Sequence, residues 1–232
     1  MYKAAGIVFE ARDCGEVFLS RAEKYLVDEG EPEFTVFTTE EELDQAEGGF
    51  TLTRDWLRYM LSGTKFYCEL IRRGGFMLHS SAVVKDGRAY LISGDPGVGK
   101  STHTAFWVSA FPGAFVLNDD KPAIRRTEEG FMAYGTPWSG KHDISVPAGV
   151  PIGGVAFIER AEKSFIEPMP PKEAIKRLLP QTVRRISGER MAELLKTLDC
   201  FLRETPVYRL GASYDISSAY VAAAGMEPNN QV

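Results

Sequence analysis

Gly94-Asp95-Pro96-Gly97-Val98-Gly99-Lys100-Ser101 is a complete G-x-x-x-x-G-K-[ST] stretch, and its setting decides how the chain folds around it. The strand-like run Arg88 to Ile92 leads into it, and Ser101 to Ala110 has the composition of a helix stopped by Pro112-Gly113. Glycines let backbone amides converge on phosphate oxygens, and the helix start adds the positive end of its dipole. In such a turn Lys100 reaches the outer phosphates and the Ser101 hydroxyl ligates a metal ion. Gly94, Asp95, Gly97, Val98, Gly99 and Thr102 are the other candidate nucleotide-binding positions. The alternative is a glycine-rich turn that binds nothing, and the matched strand and helix weigh against it.

Upstream, Phe76 to Val84 reads as a strand and Asp86-Gly87 as a hairpin turn, so two antiparallel strands run into Gly94. Downstream, Ala114 to Leu117 is a short buried strand. The helix between gives about the minimum length for a crossover, so the strands before and after it are expected to lie parallel in one sheet. Asn118-Asp119-Asp120 follows. A phosphate-bound metal needs a carboxylate and an attacking hydroxyl needs orienting or deprotonating, tasks that Asp119 and Asp120 can divide. His79 is followed by Ser80 and Ser81 rather than by bulky apolar groups, which balances a role near metal or phosphate against a structural one. His103 is expected to pack or to be solvated.

Gly135-Thr136-Pro137-Trp138-Ser139-Gly140-Lys141-His142 crowds hydroxyls, an indole, a cation and an imidazole into a glycine-flanked loop. Trp138, Lys141 and His142 are candidates for holding an acceptor or a transferring phosphate, against a purely structural loop with an exposed Trp. Arg125, Arg126 and Arg160 read as ordinary exposed arginines at strand ends. Ile124 to Arg126 and Phe131 to Tyr134 flank a turn at Glu128-Glu129-Gly130, and Gly153 to Ile158 and Val207 to Leu210 are further strands. Lys172 to Leu179 and Glu189 to Leu202 are helical. The second helix carries Met191, Leu194, Leu195, Leu198 and Leu202 on one core-facing stripe.

The lead-in, residues 1–75, reads as a small α+β module: strands at Ala5 to Ala11 and Phe34 to Phe37, and a capping box from Thr39 to Glu42 that starts an acidic helix ended by Gly48-Gly49. Thr53 caps a longer helix through Trp56, Leu57, Met60 and Leu61, weakened at Gly63 and followed by a break at Gly74-Gly75. Residues 76–232 form the remaining core, with a tail after Glu227 expected to fray.

The chain has 232 residues, 44% of them hydrophobic and 25% charged, which excludes disorder and fibres. Lys+Arg 27 against Asp+Glu 32 gives a net charge of -5, which argues against nucleic acid as the main partner and leaves room for a local basic pocket. Cys14, Cys68 and Cys200 are odd in number and lack metal or redox spacing, so reduced thiols in a cytoplasmic protein are expected. No stretch approaches the roughly 18 apolar residues of a membrane span.

The ordered set of His79-Ser80-Ser81, a hairpin, Gly94 to Ser101, a short helix and Asn118-Asp119-Asp120 resembles the HPr kinase/phosphorylase-like and ATP-type phosphoenolpyruvate carboxykinase-like proteins, over residues 76–160. The Gly135 to Lys141 loop is similar to that of small HPr-kinase-related bacterial proteins. The resemblance implies an α/β fold whose mixed sheet carries a P-loop entered from a β-hairpin, with ATP as phosphoryl donor and Mg²⁺ (or Mn²⁺) as cofactor. It implies that Lys100 contacts phosphate, that Ser101 binds metal, that Asp119 and Asp120 share metal binding and base work, and that His79 lies at the metal site. The chain is far shorter than the carboxykinases and has no region for their oxaloacetate site, nor a counterpart of the phosphorylase-associated carboxy-terminal segment. The expected function is therefore ATP-dependent phosphoryl transfer to a hydroxyl, of a serine-like small molecule or of a peptide or protein serine. A non-catalytic nucleotide-binding regulatory module with a protein partner is the alternative, and a homo-oligomer stays open.

Overall fold

The computed structural model describes residues 1–47, 52–183 and 186–227. The chain opens with the antiparallel strands β1 (Tyr2–Ala4) and β2 (Ile7–Arg12), turned by Ala5-Gly6 with positive φ of 53° and 72°. Helix α1 (Glu16–Ala22) follows, and β3 (Thr35–Phe37) then pairs parallel to β2. Thr39 forms its capping box: its N–H donates to Glu42 Oε2 at 2.9 Å and its hydroxyl accepts from the Glu42 N–H at 3.3 Å, starting α2 (Glu40–Glu47). Thr53 caps α3 (Arg54–Arg72) by accepting from the Trp56 N–H at 3.4 Å. The helix end expected at Gly48-Gly49 and the tail expected beyond Glu227 lie outside the described residues.

The core continues with β4 (Gly75–Met77), β5 (Ser80–Lys85), β6 (Arg88–Ser93), α4 (Lys100–Ala110), β7 (Phe115–Asp120), β8 (Ala123–Thr127), β9 (Gly130–Tyr134) and β10 (Gly149–Arg160). After these come β11 (Phe165–Pro168), α5 (Pro171–Leu178), α6 (Gly188–Glu204), β12 (Val207–Ala212) and α7 (Ser217–Met226). The fold is mixed α/β. The strands run in the order β4-β8-β9-β10-β6-β5-β7, with β12 beside β10 and β11 on β12. The single strand expected over Phe76 to Val84 is two, broken at Leu78-His79: β4 pairs with β8, whereas β5 pairs with β6 and β7. Asp86 and Gly87 both have positive φ, 49° and 72°, the conformation that suits a two-residue hairpin between β5 and β6. Since β5 runs antiparallel to both neighbours, β6 and β7 are parallel as expected, with β5 between them. β10 is antiparallel to β9 through Gly149–Pro151 and parallel to β6 and β12 beyond it.

Each sheet face is covered by a different set of helices. Leu91, Phe157 and Leu117 pack with Ala174 and Leu178 of α5 and with Leu194, Leu198 and Phe201 of α6. The α6 stripe thus faces the core, except for Leu195, which is 42% exposed. Tyr90, Ile92 and Ile158 pack with Trp107 of α4 and with Ala219 and Ala222 of α7. A third cluster joins Phe9, Phe18, Phe66 and Tyr67 to Met77, Ala123 and Trp138, so the division expected after residue 75 falls inside β4 and is crossed by a shared core. All three cysteines are free thiols.

Trp138 is the correction here. The sequence reading placed it on an acceptor, but its side chain is 1% exposed and stacks among Phe66 at 4.8 Å, Phe18 at 5.5 Å and Phe9 at 6.0 Å between ring centroids. Its indole N–H donates to the Tyr59 carbonyl and the Ser62 hydroxyl, both at 3.1 Å. Burying so large an aromatic surface, with its one donor satisfied, outweighs any gain from exposure to ligand. The same contact explains why α3 runs through Gly63, since a Cβ there would lie 2.7 Å from the indole Cδ1. Gly63→Ala gains about 1 kcal/mol of helix propensity but overpacks the indole at a cost of about 1–3 kcal/mol. The net expectation is a lower urea midpoint with an unchanged slope; a raised midpoint would contradict this packing.

Candidate active site

Three glycines shape the loop between β6 and α4. Gly94, Gly97 and Gly99 have φ of 151°, 77° and 117°, which L side chains rarely adopt. Gly94 is doubly constrained, because a Cβ there would also lie 3.0 Å from the Ile158 carbonyl. The loop delivers the chain into α4 at Lys100, so the unpaired amides of the first helical turn face the loop. Lys100 Nζ donates to the carbonyls of Gly94 at 2.9 Å and Asp95 at 3.1 Å. Burial pushes its ammonium below the usual lysine value, against the opposing pull of Asp120, Asp119 and Asp95.

Sheet register brings the carboxylates to this loop. On β7, Asp119 and Asp120 stand opposite Ser81 and Ser80 of β5. The Ser101 hydroxyl, in the first turn of α4, donates to the Asp119 carboxylate at 2.9 Å and 3.1 Å. The hydroxyls of Ser81 and Thr104, 2.8 Å apart, hold α4 to β5. Asp120 has the unusual φ of 106° and receives His79 Nε2 at 3.2 Å and Lys121 Nζ at 3.1 Å. Burial by itself raises the Asp120 carboxyl, but the hydrogen bond from His79 and the charge of Lys121 outweigh it and bring it down to about 2. His79 Nδ1 lies 3.0 Å from Gln181 Oε1, and its backbone N–H donates to the Gln181 carbonyl at 2.7 Å.

The Gly135–His142 loop closes the other side. The Gly140 N–H donates to the Asp119 carbonyl, and a Cβ on Gly140 would lie 3.2 Å from Asp119 Oδ2 and 3.2 Å from Asp120 Cβ. Asn118 Nδ2 anchors the loop by donating to the Thr136 carbonyl at 3.0 Å. Lys141 and His142, immediately after Gly140, are exposed.

The structure therefore brings Lys100, Ser101, Asp119, Asp120 and His79 together and leaves Trp138 in the core. Asp95 and Val98 sit in the loop, and Thr102 is half-buried on α4. Arg160, read as an ordinary strand-end arginine, donates from Nη2 to the Gly97 carbonyl at 3.2 Å. Arg125 and Arg126 are structural ties, to the Ala5 carbonyl at 3.0 Å and to Glu204 at 2.7 Å. Sequence reasoning missed Lys121, whose position after the paired aspartates was a usable signal, and Gln181, which had none. Among the described residues, no group of three or more His, Cys, Asp or Glu side chains is placed to hold a metal ion unaided. A hydroxyl, a carboxylate and a bound phosphate are a common Mg²⁺ ligand set without such a group.

His103 packs, as expected. Trp107 Nε1 donates to its Nε2 at 3.1 Å and its Nδ1 lies 3.2 Å from the Ser218 hydroxyl, which ties α4 to α7. No helix among the described residues is long and apolar enough to cross a membrane. Searched against protein-family models the chain matches none, and among curated proteins no significant match is found.

Burial pushes the His103 imidazole down to about 4 from 6.5. The unfolded chain takes up this proton as pH falls through about 6.5 and the folded chain only near 4, so stability is full above that window and falls across it. The expected loss is on the order of 3 kcal/mol, seen as a falling urea midpoint, with a flatter slope over the same pH range in His103→Gln. An unchanged slope in that variant would assign the acid sensitivity to other groups.

Proposed function

We propose that the chain is an ATP-dependent P-loop kinase that transfers a phosphoryl group to a hydroxyl, with a core like that of the HPr kinase/phosphorylase-like and phosphoenolpyruvate carboxykinase-like proteins. The observation that carries this reading is the Ser101 hydroxyl on the Asp119 carboxylate at 2.9 Å, at the mouth of a three-glycine loop that also presents Lys100. A hydroxyl beside a carboxylate is a hard-oxygen donor pair of the kind Mg²⁺ or Mn²⁺ takes. When bound, the ion supplies charge neutralisation between phosphate oxygens.

The chain's own groups account for the rest. Lys100 exchanges its two loop carbonyls for phosphate oxygens, and the loop and helix amides hold the transferring group. Asp119, engaged with Ser101, serves the metal side. Asp120 is ionised at neutral pH and points its charge at the acceptor side, between His79 and Lys121. A carboxyl held near 2 is a weak base, so it orients the acceptor hydroxyl and takes its proton late, when the forming P–O bond has made that proton acidic. Arg160 braces the loop at Gly97. The acceptor class fits a serine-like hydroxyl, free or in a peptide, with Lys141 and His142 exposed beside it.

Incubation with γ-labelled ATP and Mg²⁺ against hydroxy amino acids, polyols and protein extracts is expected to label one acceptor pool. Lys100→Ala should reduce that transfer by about 10²–10³-fold, and Asp120→Asn should reduce it with little change in nucleotide affinity. Undiminished transfer by a folded Lys100→Ala protein would overturn the assignment.

A further inference from the structure

A buried cation is among the links by which the lead-in module reaches the site, beside the Tyr59 and Tyr67 hydroxyls on the Ser139 and Lys121 carbonyls. Arg21, on α1, has a side chain only 9% exposed. Its Nη1 lies 2.9 Å from the Tyr59 hydroxyl, 2.8 Å from the Ser139 carbonyl and 3.0 Å from the Gly140 carbonyl. The guanidinium carbon sits 5.0 Å from the ring centroids of both Trp56 and Tyr59, and Nε is 3.9 Å from Asp143 Oδ1. Asp143 in turn accepts from the Ser139 hydroxyl at 2.8 Å. Nearly every polar partner of this cation therefore belongs to one five-residue loop, Ser139 to Asp143.

The Ser139 carbonyl and the Gly140 N–H belong to the same rigid peptide plane. Arg21 holds the oxygen of that plane, and the Asp119 carbonyl holds its N–H on the opposite side. Gly140 also has no room for a Cβ against Asp119 Oδ2 and Asp120 Cβ. A displacement of the guanidinium is thus transmitted through one planar unit to the strand end that carries both carboxylates. Lys141 and His142 leave the plane directly afterwards. Removing the fork would take a donor from the Ser139 and Gly140 carbonyls, so its loss is felt first at this loop.

We propose that Arg21 is a positioning residue of the active site: from the amino-terminal module it sets the Ser139–Asp143 loop against Asp119 and Asp120 and thereby fixes the acceptor side. The kinetic part rests on the kinase reading; the conformational part does not. Arg21→Met keeps the stem and removes the fork, and Arg21→Lys keeps charge without the planar geometry, so the lysine variant decides the matter if the methionine variant does not fold. Hydrogen exchange is expected to accelerate about tenfold or more at the Gly140 amide in either variant, while amides of β5 and β6 keep their protection. Phosphoryl transfer should fall about tenfold or more through acceptor KM or kcat, with the KM for ATP within about twofold of wild type. Unchanged Gly140 exchange, or wild-type acceptor kinetics in a folded variant, would overturn the proposal. So would parallel loss of ATP and acceptor kinetics, which marks general loosening. If the wild-type protein labels no acceptor, the kinase reading fails and Gly140 exchange still decides whether Arg21 positions the loop.

Discussion

In the β5–β6 hairpin, cross-strand pairs from Ser80↔Ser93 to Lys85↔Arg88 are set by the turn at Asp86-Gly87, and β7 is then read off the opposite edge of β5. Because side chains alternate between faces, a slip of one residue would send every core side chain of β5 to the wrong side. Three serines, Ser80, Ser81 and Ser93, occupy the end of this ladder where the glycine-rich loop departs. Ser81 is small enough for α4 to come down on its face of the sheet, where it meets Thr104, and the Ser80 and Ser93 hydroxyls donate to the Leu78 and His79 carbonyls. From this register follow the position of Ser101 beside Asp119 and that of Asp120 beside His79.

The charges at the site are balanced locally, although the whole chain is acidic. Asp120 has His79 and Lys121, and Asp119 has Ser101, so neither carboxylate is left buried without a donor. Support comes from distant parts of the chain. Gln181, after α5, orients the imidazole, and Arg21, on α1, fixes the loop behind the carboxylates. In the proposed reaction, α4 and its loop carry Lys100 and Ser101 to the phosphate, and the end of β7 carries both carboxylates.

What was legible in the sequence was local. Thr39, Thr53 and Asp86-Gly87 act within four residues of themselves, and caps and turns formed where their chemistry put them. The loop from Gly94 to Ser101 and the acid pair were readable for the same reason. Gln181 was not, because its partner His79 lies 102 residues away. Trp138 misled because its neighbours in sequence are polar, whereas its site is decided by Phe9, Phe18 and Phe66. Helix α7 escaped notice because Ala219, Val221, Ala222 and Ala223 leave it without a distinct apolar stripe, as suits a helix packed on both α4 and β11. Strands β1 and β11 were too short to show a period of two.

The position of β6 has a consequence for biosynthesis. This strand bears the loop, yet its parallel neighbour β10 and the strand beyond, β12, are translated much later, and α7, which grips α4 through Ser218 and His103, later still. A nascent chain that has released β5, β6 and α4 from the ribosome therefore holds a hairpin with an open edge and an uncovered Trp107. The site matures only once β10, β12 and α7 have emerged, and in the interval before that the growing polypeptide is exposed to aggregation and to chaperones.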